Sequence, residues 1–164
     1  AALTERSGAR ATPMLPLTAS VGLKEFVAEF GFDRVDLDAT REHGLTPLMR
    51  AALAGRADLI DELLAAGVEL ARRNGDGNNA LWQACVSKDP ATLQRLIDAG
   101  IDLDNSNDMG ATCLMYAASS GRAGMVELLL AAGADPHIRN FDDAKAVDLC
   151  VTIECLRLLR HTAN

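Results

Sequence analysis

The sequence predicts an all-α solenoid, in which pairs of helices stack on one another and short extended arms join the pairs. Three observations lead to this prediction. Glycines, leucines and alanines recur every 33 residues, each interval contains the start and stop signals of two helices, and 49% of the residues are hydrophobic although only 4% are aromatic. A fixed period of this length is typical of repeat proteins, and a core of alanine and leucine suits closely packed helices.

The 33-residue period holds without a gap at several positions of the repeat. Residues that occupy the same position in successive repeats are called a column below. The recurring residues are Gly44, Gly77 and Gly110; Leu48, Leu81 and Leu114; Ala51, Ala84 and Ala117; Leu63, Leu96 and Leu129; Gly67, Gly100 and Gly133; and Asn74, Asn107 and Asn140. An acidic residue keeps the same step at Glu69, Asp102 and Asp135. Because chance rarely aligns so many columns, the chain is predicted to contain three full repeats, at 41–73, 74–106 and 107–139.

The first helix of each repeat is predicted at 47–54, 80–87 and 113–120. In the first repeat, Thr46 suits the N-cap and Pro47 suits the first helical position. The inward face of these helices is made mainly of small side chains, which lets neighbouring helices approach closely.

The second helix of each repeat carries the larger apolar side chains. These are Leu59, Ile60, Leu63 and Leu64 in the first repeat, Leu93, Leu96 and Ile97 in the second, and Met125, Val126, Leu129 and Leu130 in the third. A glycine then ends each helix, and the chain continues into an arm. One repeat cannot cover its own apolar stripe, so neighbouring repeats must share a core.

Two shorter segments are predicted to cap the array, which gives a single domain at 18–161. Residues 18–40 are interpreted as an N-terminal half-repeat, and residues 140–161 as a shortened final unit in which Asp143 stands in the glycine column. Residues 1–17 lack a secretory hydrophobic segment and are interpreted as a disordered lead-in.

The motif Gly44-Leu45-Thr46-Pro47-Leu48, with Ala51-Ala52, Gly55, Leu63-Leu64 and Gly67, resembles the pattern of ankyrin-repeat proteins. The third repeat carries the pattern again, with Gly110, Thr112, Leu114, Ala117-Ala118 and the run from Leu129 to Asp135. The resemblance extends over about residues 18–161. It implies an ankyrin-repeat solenoid that binds protein partners on a concave face, formed by the arm tips and the exposed residues of the first helices.

The resemblance, carried over position by position, places the candidate protein-binding residues on the arms and first helices. They are Glu42, His43, Leu45 and Leu53 in the first repeat, Asp76, Asn78, Val86 and Ser87 in the second, Asp108, Met109, Ser119 and Ser120 in the third, and Phe141 and Asp142 in the end cap. Because apolar side chains lie among acids, a polypeptide partner with apolar and basic character would complement this face. The alternative is an incidental surface, since single exposed apolar residues are common.

Composition and motifs argue against several functional classes. The net charge of −7 argues against nonspecific nucleic-acid binding, and no apolar run approaches the roughly 18 residues that span a membrane. No catalytic motif is present, so no catalytic residue, cofactor or metal is predicted. We expect a monomeric, cytoplasmic adaptor or regulatory binder. The alternative is the recognition part of a larger enzyme or effector whose catalytic region lies outside this chain.

The cysteines and the middle repeat raise separate questions. Cys85, Cys113, Cys150 and Cys155 show no metal-binding spacing and are expected to be small core residues rather than metal or redox groups. Trp82 shares a column with Met49 and Met115, which favours packing over the alternative of an exposed anchor for a partner. Lys88 stands where the flanking repeats have glycine, and a left-handed backbone there would cost about 1 kcal/mol.

The arginines near the arms, Arg72, Arg73 and Arg139, are interpreted as solvated surface charges.

Overall fold

The computed structural model describes residues 10–32 and 36–162, which form eight α-helices, two short 3-10 helices and no strand. The helices are α1 (Val21–Glu29), α2 (Pro47–Leu53), α3 (Ala57–Ala65), α4 (Ala80–Ser87), α5 (Pro90–Asp98), α6 (Cys113–Ser119), α7 (Ala123–Ala132) and α8 (Ile153–His161), and the 3-10 helices are Glu42–Gly44 and Ala146–Leu149. The all-α prediction is confirmed. The first helices of the three repeats agree with their predicted bounds to within one residue.

The helices lie in two layers. In the layer of first helices, α2 packs against α4, α4 against α6, and α6 against the 3-10 helix Ala146–Leu149. In the layer of second helices, α1, α3, α5, α7 and α8 pack in that order. The leucine columns fill the core: Leu48, Leu81, Leu114, Leu63, Leu96 and Leu129 are all at most 2% exposed. The shared core that the periodicity predicts is therefore present.

Backbone hydrogen bonds join each arm to the next. The amide of Gly75 donates to the carbonyl of His43 at 3.0 Å, and the amide of Asp108 donates to the carbonyl of Asp76 at 3.0 Å. Within each arm from the second repeat onward, an asparagine side chain shapes the turn. The Oδ1 atoms of Asn74, Asn107 and Asn140 each accept two backbone amides at 2.9–3.0 Å. This bonding gives the asparagine column its structural role.

The N-terminal segment differs from the predicted lead-in at 1–17. Residues 1–9 of that prediction lie outside the described residues. From Arg10 onward the chain lies on the first repeat and its cap: Pro13 is buried, its carbonyl accepts the amide of Leu37 at 2.8 Å, and Arg10 donates to the carbonyl of Gly67. In this part of the segment, Pro13 is buried and Leu15 packs against the hydrophobic core.

Two non-glycine residues adopt the left-handed conformation in glycine columns. Lys88 has φ 65° and Asp143 has φ 62°. Lys88 therefore adopts, in the turn between α4 and α5, the left-handed backbone whose cost is about 1 kcal/mol. Cys85, Cys113 and Cys155 are buried and Cys150 is half-buried, so all four thiols pack within or against the core.

Candidate functional site

The tips of the consecutive arms form a continuous strip, called the arm-tip strip below. Its residues are His43, Asp76, Asp108, Met109, Phe141 and Asp142, and all six are exposed. The arm-to-arm backbone hydrogen bonds run directly beneath these side chains. The strip is therefore held in a fixed register by the backbone rather than by contacts between the side chains themselves.

Met109 and Phe141 are the apolar members of the arm-tip strip. Their exposed fractions are 62% and 76%, and the amide of Phe141 donates to the carbonyl of Met109 at 3.1 Å. The Phe141 ring lies against Gly110, since a Cβ added to that glycine would come within 2.8 Å of the ring. One edge of the ring is thus packed while most of its surface remains accessible. An aromatic side chain oriented in this way loses little conformational entropy when a partner covers it.

Two arginines hold the arms and neutralise some of their acids. Arg73 donates from Nε to the carbonyl of Gly77 at 2.8 Å and from Nη2 to the carbonyl of Ser106 at 2.9 Å, and it lies 3.7 Å from the carboxylate of Asp108. Arg139 likewise donates to the carbonyl of Asp143 at 2.7 Å and lies 3.3 Å from its carboxylate. Both arginines keep nearly half of their side-chain surface exposed, as the sequence interpretation expected, and each also ties its arm together.

The column of Arg73 and Arg139 was the signal that could have revealed this role, since the two residues stand 66 apart, two repeat lengths. In contrast, the carboxylates of Asp76 and Asp142 form no ion pair or side-chain hydrogen bond within the described ranges. These two acids are therefore available to a basic ligand on either side of Met109.

The structure places most of the predicted site residues at the surface. Those exposed are Glu42, His43, Leu53, Asp76, Asp108, Met109, Ser119, Ser120, Phe141 and Asp142. Val86 and Ser87 are half-buried at the end of α4, where the Ser87 hydroxyl donates to the carbonyl of Ala84 at 2.7 Å. The end of this helix is therefore less open than the ends of α2 and α6.

The expected exposure is wrong for Leu45 and Asn78, which are only 8% and 6% exposed. Leu45 joins the hydrophobic core instead of facing outward. Asn78 closes the base of its arm: its amide donates to Asn74 Oδ1 at 3.0 Å, and its carbonyl accepts the amide of Asn74 at 2.8 Å. Neither side chain is accessible to a partner in this conformation.

Trp82 lies against the third repeat. Its ring centroid is 4.9 Å from that of Tyr116, with 34° between the planes, and both residues are half-buried. The guanidinium of Arg122 also lies over the Tyr116 ring, 5.2 Å from its centre. This arrangement supports packing as the role of Trp82. The sequence pattern of the tryptophan column did not reveal Tyr116 and Arg122, because they occupy other columns of the next repeat.

The described residues contain no side-chain cluster suited to metal binding. Within residues 10–32 and 36–162, no three His, Cys, Asp or Glu side chains are grouped as metal ligands would be. In the same part of the chain, no helix has both the length and the apolarity needed to cross a membrane.

Comparison with known families agrees with the repeat geometry. A family model described as "Ankyrin repeats (3 copies)" matches residues 48–140, more than half of the chain. The match begins in α2 and ends at the arm of the end cap. No curated protein matches the chain significantly in sequence.

Proposed function

The chain belongs to the ankyrin-repeat family, and on this basis we propose that it is a non-catalytic adaptor or regulatory module that binds a protein partner through the arm-tip strip. Ankyrin repeats are generally protein–protein interaction modules. The division into full repeats at 41–73, 74–106 and 107–139 with a cap at each end is part of this proposal.

The observation that carries the proposal is the exposed apolar pair, Met109 and Phe141, set between acidic side chains on bonded arm tips. A partner that covers this pair removes apolar surface from water, and aromatic side chains are enriched among the residues that dominate binding energy. The pair is too exposed to serve the core, although Phe141 also packs on Gly110.

The charge of the strip supports a proposal about the chemistry of the partner. Asp76 and Asp142 form no ion pair within the described chain, and the whole chain carries a net charge of −7. Such a surface attracts a basic segment and disfavours an acidic one, chiefly through the association rate. We propose a partner segment with an apolar anchor flanked by lysine or arginine.

The exposed ends of the first helices supply a second contact zone. Leu53 is 40% exposed at the end of α2, and Ser119 and Ser120 are exposed at the end of α6. A partner anchored at the arm tips would extend over these residues, so their substitution is expected to weaken binding less than substitution at Phe141.

The experiment is affinity capture from a lysate of the source cells with matched baits. Asp142→Lys and Phe141→Ser should each lose the protein that the wild-type chain retains. Glu127→Lys, which makes the same charge change on the exposed face of α7, should retain it. Retention of the same protein by both arm-tip variants at the wild-type level would contradict the proposal.

A further inference from the structure

A cavity of about 290 Å³ lies at the opposite end of the helix pairs from the arms. It is lined by Lys88 and Pro90 from the turn between α4 and α5, and by Arg122, Gly124 and Met125 from the turn that opens α7. Two of the five lining residues are cationic, and the described lining contains no acid. The cavity is therefore separate in place and opposite in charge from the arm-tip strip.

The first repeat carries an arginine and a carboxylate at the positions that correspond to Arg122 and Gly124. Arg56 and Arg122 occupy the same column, and each is the N-cap residue of a second helix without a side-chain capping bond. In the first repeat, the guanidinium of Arg56 forms two hydrogen bonds with the carboxylate of Asp58, at 2.9 and 2.8 Å. An arginine–carboxylate pair with two parallel hydrogen bonds is stronger than a pair with a single hydrogen bond.

The third repeat lacks that carboxylate. Gly124 stands in the column of Asp58, and a Cβ added to it would meet no heavy atom within 4 Å. Arg122 instead directs Nη1 to the carbonyls of Cys85 and Val86 at the end of α4, the latter at 3.1 Å. Its Nε and Nη2 atoms donate no hydrogen bond within the described part of the chain. The guanidinium is thus fixed in place with its other donors uncommitted.

At the two neighbouring junctions the column of Lys88 holds Gly55 and Gly121. A Cβ added to Gly55 would lie 3.5 Å from the side chain of Asp89, which stands in the column of Arg122. A Cβ added to Gly121 would lie 2.9 and 3.2 Å from the side chains of Thr152 and Val151. At the junction of the second and third repeats the column holds Lys88, whose ammonium forms no ion pair with the described residues.

We propose that this cavity binds a carboxylate that carries a short apolar chain. The carboxylate takes the place of the missing Asp58 equivalent, beside Arg122 and the first turn of α7, where a helix also favours negative charge. Lys88 adds a second cation, and the apolar chain lies on Pro90 and Met125. A free short-chain acid and a glutamate side chain of an acidic peptide share this chemistry.

The test is a titration of the ¹⁵N-labelled chain followed by amide chemical shifts. Butyrate is compared with butyramide, which has the same size and no charge, and acetyl-Leu-Glu-Leu-amide is compared with its Gln counterpart. The amides of Gly124 and Met125 should shift in a saturable way with the charged member of at least one pair. Saturation by butyrate identifies a free acid as sufficient, and saturation by the peptide alone identifies the glutamate side chain as the source. Equal shifts from charged and uncharged members, or no shift from any probe, would overturn the proposal.

Two variants separate binding from folding. Gly124→Asp restores the carboxylate of the first repeat, so it should abolish the titration while the remaining amide spectrum is retained. Lys88→Gly removes the cation and relieves a left-handed residue, so it should unfold at an equal or higher denaturant concentration and bind about fivefold more weakly. Lys24→Gln, a charge removal on α1, should bind as the wild type does. The assignment would be contradicted if the charged probe still bound Gly124→Asp in a saturable way, or if Lys88→Gly bound it with the wild-type affinity.

Discussion

The backbone amide of Phe141 donates a 3.1 Å hydrogen bond to the carbonyl of Met109. This bond continues the series that joins His43 to Gly75 and Asp76 to Asp108, so the arm of the end cap stacks in the same register as the arms of the full repeats. The end cap therefore does more than cover the last helix pair, because it contributes the most exposed aromatic ring to the arm-tip strip.

Truncation of Leu96 should strongly destabilise the chain. The side chain is fully buried in the central repeat, and Leu96→Ala should lower the free energy of unfolding by about 2–5 kcal/mol because the cavity refills poorly. Leu53→Ala is the control, since Leu53 is 40% exposed and its truncation leaves no enclosed cavity. Urea unfolding measures both. A loss below about 1 kcal/mol for Leu96→Ala would show that the repeat register is wrong.

Two glycines with the same backbone conformation should differ in their tolerance of alanine. Gly100 and Gly77 have φ of 84° and 81°, but an added Cβ meets nothing within 4 Å at Gly100, whereas at Gly77 it collides with Asp108 and Arg73. Gly100→Ala should cost about 1–2 kcal/mol from the backbone alone. Gly77→Ala should cost about 1 kcal/mol more, because the Arg73 and Asp108 side chains must move away from the added Cβ, which also lies 3.0 Å from the backbone nitrogen of Asp108. Equal losses in denaturant unfolding would mean that the arm contact at Gly77 is loose.

The Asp58 carboxyl should titrate at lower pH than an ordinary aspartate. The side-chain hydrogen bond from Arg56 lowers the pKa of Asp58. Since the pKa is lowered by folding, the pair stabilises the chain above the unfolded pKa of about 3.9, and this contribution is lost as the pH falls through the folded value. Both groups are exposed, so the effect on stability is small.

Carboxyl ¹³C chemical shifts measure this titration directly. Arg56→Gln should raise the pKa of Asp58 towards the ordinary value, and Lys24→Gln should leave it unchanged. An Asp58 titration that is the same in Arg56→Gln and in the wild type would rule out the bidentate pair in solution.

Trp82 should report the contact between the second and third repeats. Because its ring packs on Tyr116 and is half-buried, its emission should be blue-shifted and iodide should quench it weakly. Tyr116→Ala opens this face of the indole, so the emission should move to longer wavelength and quenching should increase. A red, strongly quenched emission from the wild-type chain would favour the alternative role as an exposed anchor.

The fold was predictable because it depends on periodic columns. Leu63, Leu96 and Leu129 recur in register, and their burial follows from a stack in which each repeat covers the next. Lys88 stands in a glycine column, and its φ of 65° shows that the turn keeps the left-handed conformation that glycine adopts in the flanking repeats. Because the same leucine and glycine positions recur in three repeats, the sequence is compatible with few folds other than a stack of helix pairs.

The surface was less predictable, because exposure depends on how a particular arm closes. Leu45 and Asn78 occupy the same position of a repeat relative to Gly44 and Gly77, and both turn inward, which the family pattern of exposed positions did not indicate. The cavity beside Arg122 was also not predicted. It arises from the joint effect of Gly124 in one repeat and Lys88 in another, and a comparison of single columns does not reveal such a combination.

Hydrogen–deuterium exchange of the chain, with and without its captured partner, shows whether the arm-tip strip forms the partner-binding surface. Partner binding should slow exchange at the arms, residues 74–78, 107–111 and 140–144, most strongly around Met109 and Phe141. Exchange in the outer helices α5 and α7 should change little. Protection confined to α5 and α7, with the three arms unchanged, would show that the partner binds on the second helices and not on the arm-tip strip.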